Sequence, residues 1–319
     1  MLFLSATDVE LCRIPMRDVI GLVELALAEH GHGRTEMPAK LGVHPRAGAL
    51  LHAMPAWVAA AGAAGMKWVA AYPDNAARGW PAVTGIILLN DPETGLPEAI
   101  LDGAWITAMR TAASTAVAAR KLAPPDAETL AIIGPGVQGR SNVAALCEVL
   151  PNLKKVRAYA PKRETVERFA QDIECGTGLR VEPAASVVEA LDGAQAAVAA
   201  APWPPRAGQS AAPSGTFDAL PFTCALDLDS TVPAQAVEAA DRFFADDVAT
   251  FESHRQRGVF REWPNPLELS KVVAGTLPGR QHAQERIVCA NLGLGIYDVV
   301  VARHVLEIAA RQGIGTLLA

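Results

Sequence analysis

The segment Leu130-Ala131-Ile132-Ile133-Gly134-Pro135-Gly136-Val137-Gln138-Gly139 narrows the choice of folds more than any other part of the chain. A short apolar run, which reads as a buried strand, breaks into Gly-x-Gly-x-x-Gly, and a helical stretch over 137–150 follows at once. Each glycine has its own task in a phosphate-binding turn. Gly134 permits the tight turn, Gly136 lets the backbone approach a pyrophosphate, and Gly139 lets the helix pack close on the strand. The first N–H groups of the helix, at Val137 and Gln138, then have no intrahelical partner and face the phosphates. The alternative is a purely structural strand–turn–helix corner.

The residues after this motif support the nucleotide reading. Strand-like runs at 156–160, 179–181, 196–200, 224–228 and 242–245 alternate with helical stretches, as a doubly wound parallel sheet requires. Residues 202–215, rich in proline, form a loop at the carboxyl end of a strand, where open α/β sheets bind ligands. Residues 1–123 follow a different pattern. A helix over 18–30 stops at Gly31 and Gly33, and strand-like runs at 47–54, 64–71, 83–89 and 97–101 come one after another without helices. Asn90-Asp91-Pro92-Glu93-Thr94-Gly95 joins the last two as a hairpin. An antiparallel sheet in an α+β domain is expected there, closed by an alanine-rich helix over 105–122. Pro124-Pro125-Asp126 marks a boundary, and the final helix, 297–312, returns to the first domain. The expected architecture is therefore a Rossmann-type α/β domain over 124–295 and a discontinuous α+β substrate and dimerisation domain over 1–123 and 296–319.

Composition excludes several classes. Of 319 residues 50% are hydrophobic and 19% charged, the balance of a folded enzyme and not of a disordered chain. A net charge of -6 with no basic block argues against nucleic acid and anionic membrane as partners. No apolar run reaches spanning length, and the first residues lack a signal-peptide pattern. The five cysteines are scattered, without Cys-x-x-Cys, and the seven histidines form no His-x-x-x-His pair. Reduced thiols in a cytoplasmic protein and no metal site are the expectation.

The nucleotide itself is read at the end of the second strand, where NAD-binding versions of the fold carry an acid for the ribose 2′-hydroxyl. Here Ala160 stands in that place, and Lys162 and Arg163 follow Pro161. Either cation suits a 2′-phosphate, so NADP(H) is favoured over NAD(H). In the alternative, both cations are solvated turn residues and Glu164 serves the ribose.

Charged side chains also stand in apolar company. Lys67 lies in Gly65-Met66-Lys67-Trp68-Val69, where it is either on a polar strand face or buried with a task. Arg110, among small neighbours in Thr107-Ala108-Met109-Arg110-Thr111-Ala112, is either a surface arginine or a bidentate grip for a carboxylate. Asp227 and Asp229 end a strand, and alternation puts them on one side of it. Either carboxylate is a candidate proton donor or acceptor, or else a turn residue.

Together these residues resemble the ornithine cyclodeaminase/mu-crystallin family. The resemblance runs through Met54-Pro55-Ala56, Met66-Lys67-Trp68-Val69, Tyr72-Pro73-Asp74-Asn75, Leu101-Asp102-Gly103, Arg110-Thr111-Ala112-Ala113, Gly134 to Gly139, and Asn291-Leu292-Gly293 with Asp298. It implies a homodimer formed through the first domain. It also implies a nicotinamide cofactor touched by Arg110, Thr111 and Asn291 besides the glycine turn. By position it makes Lys67 and Arg110 anchors of the substrate carboxylate and Asp229 the general acid/base, with Lys67 counted beside it in the catalytic pair. Lys40 in Met37-Pro38-Ala39-Lys40 stands where arginine is commoner and adds to the substrate site, keeping the charge without the fork. His52, two residues before Met54-Pro55, stands where an ornithine cyclodeaminase carries glutamate. The segments around Asp229, Leu226-Asp227-Leu228 and Ser230-Thr231-Val232, also depart from the family pattern. The implied function is an NAD(P)H-dependent imine reductase or amino acid dehydrogenase acting on a small imino or amino acid. The alternatives are ornithine-type cyclodeamination and a mu-crystallin-like NADPH-dependent binder.

Overall fold

A computed structural model describes residues 1–201 and 212–318, the side chain of Ala76 excepted. The chain divides into two compact units, one of Met1–Arg110 with Gly293–Ala319 and the other of Thr111–Leu292. The division falls inside the helix Ala104–Leu122, upstream of the Pro124 boundary that the sequence suggests.

The first unit is built on a mixed sheet. Its spine is the antiparallel run Leu50–Val58, Ala63–Ala71, Val83–Asn90 and Pro97–Asp102. Asp91 makes the hairpin between the last two, its Oδ1 accepting the N–H of Glu93 (3.0 Å) and of Thr94 (2.7 Å). The expectation of a wholly antiparallel sheet is corrected at the edge, where Leu2–Leu4 runs parallel to Pro97–Asp102 and Thr316–Leu317 pairs with it from the other end of the chain. The first long strand also begins and ends later than the 47–54 read from sequence, because Pro55 does not stop it. Leu41–Val43 pairs with residues 51–53 and Thr35–Glu36 with 57–58, so Pro55 faces the gap between them, where its missing N–H breaks no ladder.

Alternation gives this sheet two unlike faces. His52, Met54, Ala56 and Val58 are buried on the inner face, and Lys67 joins them because it lies opposite Met54 on one side and Ile87 on the other. The helix Gly295–Gln312 covers this face, with residues 295–302 buried in succession as expected of a helix enclosed all round. Its approach is close: a Cβ on Gly295 would come within 2.9 Å of the Met54 carbonyl oxygen. The outer face is also apolar, yet Trp57, Trp68, Ile86, Leu41 and Val43 on it are exposed.

The second unit carries an eight-stranded sheet in the order Arg180–Pro183, Lys155–Tyr159, Thr129–Ile133, Ala196–Ala199, Phe222–Ala225, Ile287–Ala290, Arg242–Ala245, Leu267–Glu268. Every neighbouring pair is parallel. The central strands are buried residue by residue, which explains why they read as continuous apolar runs. Ile287–Ala290 escapes a reading by alternation because it follows a loop instead of a helix. It nevertheless occupies the place between Phe222–Ala225 and Arg242–Ala245.

Candidate active site

In the first unit, three charged side chains meet on the covered face of the sheet. The Lys67 ammonium donates to Asp298 Oδ1 at 2.7 Å, and Arg110 Nε donates to the same oxygen at 2.9 Å. Lys67 is 1% exposed, Arg110 7% and Asp298 0%. Both cations are therefore buried, and neither is a solvated surface residue. Burial lowers the Lys67 pKa to about 7, repulsion from Arg110 and Lys40 adds to this, and attraction to Asp298 opposes it. Thr107 Oγ1, one helical turn before Arg110, lies 3.4 Å from the ammonium. Gly293, at φ +75°, is required here, since a Cβ would fall within 2.3 Å of Arg110 Nη1. Lys40 is half-buried. His52 is buried, with Gly42 opposite it in register and so close that a Cβ there would reach its ring. Two cations against one anion leave this cluster a net positive charge, which suits one carboxylate.

The second unit holds the glycine turn at the carboxyl edge of its sheet. Gly134 has φ +91°, and a Cβ there would sit 2.3 Å from the Ala200 carbonyl oxygen. A Cβ on Gly139 would meet the Gly134 oxygen at 2.9 Å, so this glycine serves packing, whereas one on Gly136 would meet nothing within 4 Å. The open side of Gly136 and the uncapped start of the helix Val137–Cys147 fit an incoming phosphate. A cleft of about 580 Å³ opens there, lined by Gly134, Gly136, Val137, Gln138, Ala160 and Lys162 among others. Arg163 does not line this cleft: it is 83% exposed and pairs with Glu167 at 2.8 Å, one helical turn on. Asn291, just past the strand Ile287–Ala290, donates to Ser114 Oγ at 3.3 Å, and Ser114 donates in turn to the Thr111 carbonyl.

Asp227 and Asp229 are arranged differently from the sequence reading. The strand ends at Ala225, and Leu228 takes φ +59°, a left-handed conformation costing about 1–3 kcal/mol for such a residue. The two carboxylates therefore have separate surroundings. Asp227 is buried, and its Oδ2 accepts from Ala201 N at 3.0 Å and Thr231 Oγ1 at 2.5 Å. Burial raises its pKa to about 6 against the pull of these bonds. Asp229 is half-buried and accepts from the N–H of Phe260 at 2.9 Å, a residue fixed by stacking on Phe251 at 4.7 Å. It borders a cleft of about 430 Å³ with Gln235, Arg257, Arg261 and Trp263.

The residue that sequence reasoning left without a task is Asp298. Its signal was a single carboxylate inside Ile296-Tyr297-Asp298-Val299-Val300-Val301, which calls for a buried cation or hydrogen-bond donor. The loop expected at a ligand-binding strand end, 202–215, lies for the most part outside the described residues.

Known proteins share this fold. The model of the ornithine cyclodeaminase/mu-crystallin family matches residues 1–208. The chain is 32% identical to the nodulation efficiency protein NfeD of Rhizobium meliloti, over 99% of this chain and 98% of that one. It is 30% identical to an alanine dehydrogenase of Archaeoglobus fulgidus, over 99% and 97%. Among solved structures, the Thermococcus litoralis Δ1-pyrroline-2-carboxylate reductase in complex with NADH and L-proline superposes with a TM-score of 0.89 at 29% identity, covering 100% of both chains.

Proposed function

The chain belongs to the ornithine cyclodeaminase/mu-crystallin family, and from that premise we propose that it is an NAD(P)H-dependent imine reductase of a small imino acid, working in reverse as an amino acid dehydrogenase. The observation that carries the reading is the buried meeting of Lys67 and Arg110 on Asp298, which leaves one net positive charge for a substrate carboxylate. When bound at the glycine turn, the nicotinamide dinucleotide supplies or accepts the hydride. Gly134, Gly136, Val137 and Gln138 would hold its phosphates, and Thr111 and Asn291 the nicotinamide side.

The chain's own groups then position and neutralise. Lys67 and Arg110 bind the carboxylate, with Lys40 adding charge, and so fix the imine carbon. Reduction needs one proton on the nitrogen, and Asp229 is assigned to give it and, in reverse, to take it back. His52 replaces a carboxylate that would welcome a second amino group. This favours a monoamino substrate over ornithine and ranks cyclodeamination second.

Ala160 and Lys162 line the cleft where the ribose of a dinucleotide would turn, and neither repels a 2′-phosphate, so NADPH is the preferred cofactor. The exposed apolar outer face of the first unit's sheet, with Trp57, Trp68 and Ile86, suits an isologous homodimer. Five free thiols fit a cytoplasmic setting. The test is consumption of NADPH or NADH with 2-oxo acids plus ammonia or methylamine, and with cyclic imines. Turnover of at least one imino acid is expected. Ammonia release from ornithine without net cofactor change would replace this reading by the second.

A further inference from the structure

We propose that Asp298 is a positioning residue that gathers Lys67 and Arg110 into one carboxylate-binding pair, keeping Lys67 charged and fixing Arg110 through Nε so that its terminal nitrogens remain for the substrate. The inference rests on the imine-reductase reading for the identity of the ligand, and on geometry for the rest. A single oxygen, Oδ1, accepts from both cations, at 2.7 Å from Lys67 Nζ and 2.9 Å from Arg110 Nε. The carboxylate is fully buried in the first turn of the helix Gly295–Gln312, among apolar neighbours that offer it no other reason to be charged. Its second oxygen, Oδ2, has no hydrogen-bond partner among the described residues. Gly293 holds Arg110 from the other side, because the positive φ and the missing Cβ bring backbone against Nη1.

Charge explains why such a residue is needed. Before substrate arrives, two buried cations repel each other, and Lys40 adds to that repulsion. Among the described residues, the charged groups acting on Lys67 are Arg110 from the helix Ala104–Leu122, Asp298 from the covering helix and Lys40 from the segment before Leu41–Val43, and His52 lies on the same sheet face. Asp298 is the one anion among them. Without it, Lys67 would give up its proton and the site would lose half its grip.

The decisive variant is Asp298→Asn, read in two ways. In protein labelled with ε-¹³C lysine, with the Lys67 signal assigned through Lys67→Arg, the wild-type resonance is expected to titrate at about 7. In the variant its midpoint should fall by about 1–3 pH units, the effect of removing an opposite charge at contact distance. The KM for the imino acid should rise about tenfold or more, with nicotinamide affinity unchanged. An unmoved Lys67 midpoint, or an unmoved KM in the folded variant, overturns the proposal. A wild-type protein that reduces no imino acid defeats the function, yet the titration still decides the role of Asp298. Should Asp298→Asn fail to fold, Asp298→Glu keeps the charge on a longer arm. It should leave the Lys67 midpoint near its wild-type value while raising KM about tenfold through misplacement. A wild-type KM in that variant overturns the positioning role.

Discussion

Removing the Arg110 guanidinium should cost substrate binding more than cofactor binding. A charge-assisted contact to a buried carboxylate is worth about 2–5 kcal/mol when one partner is truncated. At about 1.4 kcal/mol per tenfold, Arg110→Ala should weaken imino acid binding by about 30-fold to a few thousandfold. Lys67, which donates to Asp298 at 2.7 Å, still offers a cation when Arg110 is removed, so the lower end of the range is expected. A second effect runs in the opposite direction. Repulsion by Arg110 ranks just below burial among the causes that bring Lys67 down to about 7. Without Arg110 the lysine pKa rises, and the ammonium survives to higher pH. If a charged Lys67 is needed to bind the carboxylate, wild-type kcat/KM falls as pH rises through about 7, and in Arg110→Ala that fall begins later. Initial rates of NADPH oxidation across pH, with nicotinamide fluorescence for cofactor binding, measure both effects. A KM within about threefold of wild type, an equal loss of cofactor affinity, or an alkaline limb that moves down in pH would refute the reasoning.

Ala160→Asp should weaken NADPH binding and shrink or reverse its advantage over NADH, because a carboxylate would then face the 2′-phosphate; a wild-type preference for NADH of about tenfold would remove the premise. Asp229→Asn should lower kcat by about 10²–10⁴-fold with little change in cofactor affinity, and normal turnover would shift the proton to Asp227 or His52. Trp68→Arg together with Ile86→Arg places charge on the outer sheet face and should convert a species of about twice 33.5 kDa in sedimentation to one of that mass, whereas a monomeric wild type contradicts the dimer.

Much of this was legible in the chain. The glycine turn announces itself because its spacing, the apolar strand before it and the helix after it are all local. Lys67 and Arg110 were visible as charges in apolar company, although whether they were buried was not, since burial depends on what covers the sheet. Asp298 shows the limit most clearly. It lies 231 residues from Lys67 and 188 from Arg110, and no local pattern links them. The Asp227–Asp229 pair was misread for a different reason. Period-two alternation presumes an extended backbone, and the left-handed turn at Leu228 cancels it. Arg163 looked equivalent to Lys162 on paper, but the first helical turn points it toward Glu167.

The covering helix carries a consequence for how the protein is made. Met1–Arg110 leaves the ribosome before Thr111–Leu292, but Gly295–Gln312, which roofs its sheet, and Thr316–Leu317, which borders Leu2–Leu4, emerge only after that second unit. Domains fold largely as they are synthesised, so the unit that starts first is the one completed last. Until that helix is made, Lys67 has neither the cover nor the Asp298 carboxylate that set its pKa in the folded chain. The burial that lowers its pKa and the carboxylate that opposes this therefore depend on one and the same late segment. A chain stopped before Gly295 would have nothing to cover the inner face of that sheet, and apolar surface exposed in this way favours aggregation.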